Sequence, residues 1–200
     1  RPLYEGLDAG GLAWGRGEPS IVRQAVLRMI ADEPLLSEIG GQSVYSDLGF
    51  ILLGCAVERA SGQLLDEYFD AVVCQRLGAR PLLFHRASAA PSPGRSKHSG
   101  LSFAPTEWDE WRKRLLQGEV HDENAAAMGG VAGHAGLFGT AEAVLAVSGA
   151  WLAAYHGERS LLDQRLVREF TRTSSHPLHS SWALGWDTPS EGSSAGSLLS

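Results

Sequence analysis

Residues 44–54, with the sequence VYSDLGFILLG, decide the predicted fold because a short polar entry is followed by a long apolar run. Asp47 is suited to cap a helix, since its carboxylate can accept the free backbone N–H groups of the first turn. The residues behind it are apolar on nearly every side, which is typical of a buried helix. Tyr45 and Asp47 are therefore expected at the rigid entry of a core element. Taken alone, the pattern describes a capped helix with a packed tyrosine.

The composition is that of a globular protein with a negative charge. The 200 residues are 44% hydrophobic and 20% charged, and the formal net charge is −6 at pH 7. This charge, without any Lys/Arg cluster, argues against a nucleic-acid binder. No apolar run is long enough to cross a membrane. The chain begins at Arg1 rather than at a methionine, so we expect an excised piece of a longer protein.

Hydrophobic periodicity predicts a mainly helical chain with at most a trace of sheet. Helices are expected from Pro19 to the break at residues 32–34, from Leu48 to Ala60, from Leu64 to the stop at Gly78, within residues 104–117, over residues 124–128, after a Thr140 cap, and over residues 161–171. Residues 182–186 are a candidate strand. Residues 1–17, with five glycines, and residues 86–104, rich in Ser, Pro, Gly and Ala, are predicted to be loops.

The two cysteines, Cys55 and Cys74, lie on adjacent predicted helices. Antiparallel packing of these helices would allow a disulfide, but small buried thiols are the preferred interpretation. The sequence contains no C-x-x-C motif and no metal-finger spacing.

Four residues carry side chains that are common metal ligands, namely His121, Asp122, Glu123 and His134. Consecutive helical residues point in different directions, so the first three cannot converge on one ion without an irregular backbone. The pattern favours a polar turn in which Asp122 caps a helix, and neither a metal nor another cofactor is expected. For His134 two interpretations stay open, a core histidine satisfied by the backbone or a residue lining a cleft.

Four segments resemble the serine β-lactamase and penicillin-binding-protein superfamily. Residues 45–54 and the ERASG sequence at 58–62 resemble the second motif, Y-x-N, and its helix in the class C-like branch. Three later segments are similar to a subgroup of serine hydrolases in that branch, which includes low-molecular-weight penicillin-binding proteins: APTE at 104–107, GEVHDENA at 118–125 and GGVAGHAGLF at 129–138. Together they cover roughly residues 40–190 in the expected order.

The resemblance implies a fold and a set of roles. The fold would be the helical subdomain of the α+β β-lactamase/transpeptidase-like fold, with most of the central sheet missing. Residues 1–186 would form one partial domain, and the Ser/Gly-rich tail at 187–200 would lead to the missing sheet. Family members use a nucleophile in S-x-x-K, then Y-x-N, then K-T-G or H-T-G.

By resemblance, Tyr45 would be the base or proton relay, and Asp47 would hold the motif lysine. Ser46, Gly133 and His134 would be candidates for the substrate cleft.

The sequence departs from the family pattern in two ways. Asp47 stands where the family has asparagine, and an ionised aspartate can only accept hydrogen bonds. No serine stands three residues before a lysine, and no third motif follows Trp186. The KHSG sequence at 97–100 is interpreted as a decoy because no strand-like alternation flanks it. An internal fragment lacking the nucleophile and the third motif is therefore expected.

We expect part of a serine hydrolase that acts through an acyl-enzyme, of the β-lactamase, D-Ala-D-Ala carboxypeptidase or esterase type. Its substrate would be a small molecule or a peptidoglycan-like peptide, and the resemblance implies a periplasmic, extracellular or membrane-associated location. The chain alone would be inactive, because a base without its nucleophile cannot form the intermediate. The alternatives are a non-catalytic binding or scaffolding module, and a metal-dependent hydrolase using the four metal candidates. The sequence leaves the oligomeric state open.

Overall fold

The computed structural model describes residues 2–13, 17–86, 101–174, 177 and 180–189. The helices are α1 (Leu3–Ala9), α2 (Pro19–Ala31), α3 (Asp47–Ser61), α4 (Leu65–Phe69), a π-helical turn (Asp70–Cys74), α5 (Gln75–Leu77), α6 (Glu123–Ala127), α7 (Ala141–His156) and α8 (Gln164–Thr171). The strands are β1 (Leu82–Phe84), β2 (Pro105–Asp109), β3 (Arg114–Gln117) and β4 (Leu137–Gly139).

Two compact units divide the chain. The first contains residues 1–33 and 46–143, and the second contains residues 34–45 and 144–200. The first unit holds two antiparallel strand pairs. β1 pairs with β4, with Leu83 opposite Phe138, and β2 pairs with β3 across a register shift.

The main core of the first unit is built by α1, α2 and α3. Leu7, Val26 and Ile51 are fully buried within it, one from each helix. Residues 1–17 were expected to be a loop, and this expectation is wrong for Leu3–Ala9. Leu3 and Leu7 lie four residues apart and therefore share the face of α1 that packs on this core, so tertiary packing outweighs the weak helix propensity of a glycine-rich segment.

The helix α3 matches the predicted span but differs at its entry. Ser46 is the flanking residue and Asp47 is the first helical residue, so Asp47 is not the N-cap. Its carboxylate still lies in the first turn, where negative charge is favourable. The helix ends as predicted, with Gly62 in the left-handed conformation at φ 71°.

The expected burial of α3 on all sides is not found. Ile51 and Gly54 are buried, whereas Leu52 and Leu53 are exposed. The buried side faces the core and the segment around Gly133, whose backbone approaches Gly54 directly.

The helix expected after Gln63 runs to Leu77 and stops at Gly78, which takes the left-handed φ of 66°. Its middle forms an unpredicted π-helical turn that ends at Cys74. The Cys74 thiol donates to the carbonyl of Leu82 over 3.0 Å. Cys55 and Cys74 are both free thiols. Cys74 is buried as predicted, whereas Cys55 is only half-buried, and burial raises the pKa of each.

The segment 104–117 is a β-hairpin, so the predicted helix is wrong. Its turn contains Lys113 at φ 53°, in the left-handed region. Asp109 and Arg112 form a buried ion pair at 2.9 Å, and Arg112 also donates to the carbonyls of Val120 and His121. These bonds hold the turn against the helix propensity of its charged residues.

In the second unit, α8 begins at Gln164, three residues later than predicted, with Asp163 as its cap. Trp182 forms an isolated bridge with Asp187, so residues 182–186 make a chain reversal rather than a strand. The Trp186 ring packs edge-on to Trp151 of α7, with ring centroids 5.1 Å apart.

Across the described ranges, no single helix has both the length and the apolar character needed to span a membrane. One bent pair, Asp47–Ser61 with Leu65–Leu77 at 76°, meets that test by length and composition.

Candidate functional site

Three side chains from separate parts of the first unit converge at the start of α3. They are Asp47, Asp122 and His134, and one potential ligand atom from each lies within 4.8 Å of the others. Asp47 comes from the first turn of α3, Asp122 precedes α6, and His134 lies in the glycine-rich segment before β4. Asp47, which precedes the other two residues by 75 and 87 positions, thus joins them in one polar cluster.

Asp122 is fixed by two hydrogen bonds that end on the same oxygen. Its Oδ1 accepts the Ala125 backbone N–H at 2.7 Å, which confirms the predicted cap of α6, and it lies 2.8 Å from His134 Nε2. Burial alone would raise the pKa of Asp122. The hydrogen bonds from His134 and Ala125 outweigh burial and lower this pKa, so the carboxylate is ionised at neutral pH.

His134 matches the two open interpretations only in part. Its side chain is only 3% exposed, as expected of a core histidine, but its described partner is the Asp122 carboxylate rather than the backbone. Among the described residues, the second ring nitrogen, Nδ1, is buried without a hydrogen-bond partner. A buried ring nitrogen in this state costs free energy.

The glycine-rich segment positions His134 by backbone contact with α3. A Cβ atom at Gly133 would lie 2.0 Å from the Phe50 carbonyl oxygen and 3.0 Å from the Gly54 nitrogen. Only glycine fits this approach. Gly133, predicted as a cleft residue, therefore sets the distance between the segment and α3 in this structure.

The other two metal candidates do not join the cluster. His121 Nε2 hydrogen-bonds to Glu107 on the β-hairpin, and both side chains are exposed. Glu123 is the first residue of α6. The adjoining Asn124 accepts the Tyr4 backbone N–H at 3.2 Å, which links α6 to α1.

Tyr45 belongs to the second unit and is described there by itself. Its side chain is 69% exposed, and its ring centroid lies 6.1 Å from that of Trp182. The neighbouring Ser43 hydrogen-bonds to Ser180 at 2.7 Å. Ser46, which follows Tyr45, is exposed. The KHSG sequence at 97–100 lies outside the described residues.

Sequence reasoning named all three residues of the cluster but did not join them. It assigned Asp47 to one motif and paired Asp122 and His134 with His121 and Glu123 in a different set. The only available signal was that Asp47, Asp122 and His134 fall in three of the four family-like segments.

Comparison with known proteins identifies the chain's relatives. The "Beta-lactamase" family model matches residues 4–197. Proteins named "Putative D-alanyl-D-alanine carboxypeptidase" from Salmonella agona and Salmonella schwarzengrund are 30% and 31% identical over 191 residues. The match covers 92% of this chain but 43% of each relative, so the chain spans less than half the length of these curated relatives.

Two solved structures share the fold. A penicillin-binding protein from Bacillus halodurans aligns with a TM-score of 0.54 and 22% identity over 82% of this chain and 45% of its own. An octameric penicillin-binding protein homologue from Pyrococcus abyssi aligns with a TM-score of 0.51 and 15% identity over 82% and 34%.

The expected β-lactamase/penicillin-binding-protein-like fold is thereby confirmed, while the missing central sheet stays a prediction. Because the family model covers nearly the whole sequence and the relatives agree with it, this chain belongs to the beta-lactamase family.

Proposed function

We propose that this chain is part of a serine hydrolase that forms an acyl-enzyme with a peptide-like substrate, as a D-Ala-D-Ala carboxypeptidase does. The observation that carries the proposal is the Tyr45-x-Asp47 sequence at the entry of α3 in a chain of the beta-lactamase family. The carboxypeptidase names of the relatives support the substrate class.

In the proposed reaction, the serine of an S-x-x-K segment attacks the substrate carbonyl carbon. Tyr45 takes the hydroxyl proton, directly or through the motif lysine, and the leaving amine takes a proton as the C–N bond breaks. Water then attacks the ester, which frees the serine and releases the acid. Because serine is a weak nucleophile at its ordinary pKa, the first step needs such a base.

Asp47 sets the electrostatics of the proposed site. An asparagine at this position would offer an amide donor to the substrate, whereas an ionised carboxylate accepts hydrogen bonds and attracts a cation. The ammonium group of the S-x-x-K lysine fits that role. The same carboxylate disfavours substrates whose acyl side chain presents an amide carbonyl oxygen to this position. Ester substrates without such an amide therefore belong in the test beside peptides.

The test uses a fluorescent penicillin on two proteins, the 200-residue chain and a protein in which this chain is continuous with its S-x-x-K segment. We expect the chain alone to stay unlabelled, because no serine in it stands three residues before a lysine. In the longer protein, Tyr45→Phe should lower the rate constant of acylation roughly 10²- to 10⁴-fold, the usual contribution of a positioned base.

Tyr155→Phe is the matched control, since Tyr155 is an exposed tyrosine of α7. It should acylate at the wild-type rate. Wild-type acylation of Tyr45→Phe would remove Tyr45 from the mechanism. Absence of labelling of the longer protein by penicillin, by a fluorophosphonate and by an activated ester would favour a non-catalytic binding module instead.

A further inference from the structure

We infer that Asp47, Asp122 and His134 form a binding site for a divalent transition-metal ion of the zinc type. Within the described ranges, this is the one group of three or more His, Cys, Asp or Glu side chains whose potential ligand atoms converge. One imidazole nitrogen and two carboxylate oxygens form a donor set that suits zinc, which binds His nitrogen and Asp oxygen.

The distances suit neighbouring ligands of one ion. Two ligands each about 2.1 Å from a tetrahedral ion lie about 3.4 Å apart. The 2.8 Å between Asp122 Oδ1 and His134 Nε2 is the distance of a hydrogen bond, which an ion would replace while the two atoms separate by about half an ångström. All three potential ligand atoms lie within 4.8 Å of one another, so small side-chain movements would bring them to one ion.

The charges of the cluster call for a cation. Asp47 and Asp122 supply carboxylate oxygens, which attract a cation. His134 adds an imidazole ring that is almost fully buried. A divalent ion would be held by its attraction to the carboxylates and by the imidazole nitrogen, both of which are common zinc ligands.

Neighbouring groups hold the side chains of the cluster in place, as is usual around metal ligands. Asp122 is locked by its bond to the Ala125 N–H, and His134 is held by the backbone contact between Gly133 and α3. Asp47 and Asp122 are half-buried, so an ion can enter and keep water ligands. Three protein ligands with an open position are typical of zinc sites that bind a further group.

This inference does not rest on the proposed hydrolase. Its test contains no acylation step, so the two proposals fail separately. They meet at Asp47 only, where a bound ion and the lysine ammonium would compete.

The experiment titrates the 200-residue chain with Zn²⁺ by calorimetry and compares two variants that each lose one carboxylate charge. Asp47→Asn removes a proposed ligand at a half-buried position, and Glu123→Gln removes a neighbouring acid outside the cluster. We expect one high-affinity ion per wild-type chain. Asp47→Asn should weaken binding at least roughly 10- to 100-fold, while Glu123→Gln should stay within about twofold. Mg²⁺ should bind at least about tenfold more weakly, because it disfavours imidazole.

The ring ¹⁵N chemical shifts identify the histidine involved. One equivalent of Zn²⁺ should shift a ring nitrogen of His134 before those of His121. Absence of Zn²⁺ binding, equal affinity in Asp47→Asn and Glu123→Gln, or a first shift at His121 alone would each overturn the site. His121→Asn should bind as the wild type does, since His121 pairs with Glu107 outside the cluster.

Discussion

At the scale of single residues, Gly133 sets the contact between the glycine-rich segment and α3. Its Cα approaches Gly54, and the space for a side chain is filled by the Phe50 carbonyl oxygen. Backbone atoms cannot move aside as the end of a flexible side chain can. The position of His134, the next residue, therefore depends on the absence of a Cβ atom at Gly133.

Gly133→Ala should lower the free energy of unfolding by about 3 kcal/mol or prevent folding, because the new methyl group overlaps the backbone of α3. Gly49→Ala is the control within α3, since a Cβ built at Gly49 would meet no neighbouring atom within 4 Å outside its own helix backbone. It should be neutral or stabilise by up to about 1 kcal/mol, because alanine favours helix. Urea unfolding followed by circular dichroism measures both variants. Equal stabilities would show that the segment does not pack as described.

Asp109 is a buried charge whose main partner is Arg112. Burial alone would raise its pKa, but the hydrogen bonds and charge of Arg112 lower the pKa below its usual 3.8. A carboxyl group with a lowered folded-state pKa stabilises the protein above the unfolded-state pKa. That contribution is lost as the pH falls through the folded-state value.

Asp109→Asn should cost about 3 kcal/mol at neutral pH, because it removes the carboxylate charge that pairs with the buried Arg112 side chain. The difference from the wild type should begin to shrink as the pH falls below the unfolded-state pKa of about 3.9, and it should vanish below the lowered folded-state pKa. Urea unfolding at a series of pH values measures this trend. Glu110→Gln, which breaks the exposed pair with Lys113, should change stability by at most about 0.5 kcal/mol at any pH. A cost for Asp109→Asn that is independent of pH would contradict the ion-pair account.

At the scale of elements, Glu58 joins three helices. Its carboxylate on α3 binds Arg23 of α2 through two nitrogens at 2.9 and 3.0 Å. It also accepts the backbone N–H of Leu65, at the start of α4, over 2.8 Å. One side chain thus closes an ion pair and satisfies a free donor of a helix terminus.

Glu58→Ala should destabilise the chain by about 2–3 kcal/mol, because it removes the acceptor for Leu65 and the partner of Arg23 together. Glu58→Gln keeps an acceptor and loses the charge, so its cost should be smaller. Thermal unfolding compares both with Glu67→Ala, an exposed neighbour that should stay within about 0.5 kcal/mol of the wild type. If Glu58→Gln destabilised the chain as much as Glu58→Ala, the effect would come from the lost charge alone.

The elements differ in how far the sequence predicts them. The helices α2 and α3 carry local signals, a proline at the first position of one and Gly62 after the other, and both were predicted. The helix α1 and the hairpin at 105–117 were not. Leu3 and Leu7 gain their stability from a core contributed by distant helices, and the hairpin turn relies on the Arg112 bonds to Val120 and His121. Local propensity contains neither interaction.

At the scale of the whole molecule, large apolar side chains remain exposed in this chain. Leu145 and Leu152 of α7 are 69% and 61% exposed, and their spacing of seven residues places them on one helix face. Exposed apolar patches of this kind promote association.

The chain should therefore self-associate, with an apparent mass that rises with concentration in size-exclusion chromatography with light scattering. The double variant Leu145→Gln and Leu152→Gln should raise the dissociation constant at least about tenfold, since each leucine loses apolar contact area. Glu67→Ala, an exposed position of α4 rather than α7, is the control and should associate as the wild type does. A chain that stays monomeric at all concentrations would show that the exposed face of α7 does not drive association.

The sequence singled out Asp47, Asp122 and His134 for different reasons and did not predict them as one site. Asp47 and Asp122 each stood out by local pattern, and the cap made by Asp122 was predicted correctly. Their meeting with His134 depends on how α3 packs against the glycine-rich segment. That contact brings together the backbones of Gly54 and Gly133, which are far apart in the sequence. A local hydrophobic pattern cannot predict such a contact.

The interleaved path of the chain has a consequence for its synthesis. Residues 34–45 belong to the second unit, yet the rest of that unit follows residue 143. The bond between Ser43 and Ser180 spans 137 positions. During synthesis, residues 34–45 therefore cannot make this contact until residue 180 has left the ribosome, and closing such a long loop has an entropic cost. A stop codon before residue 180 would leave residues 34–45 without these late contacts.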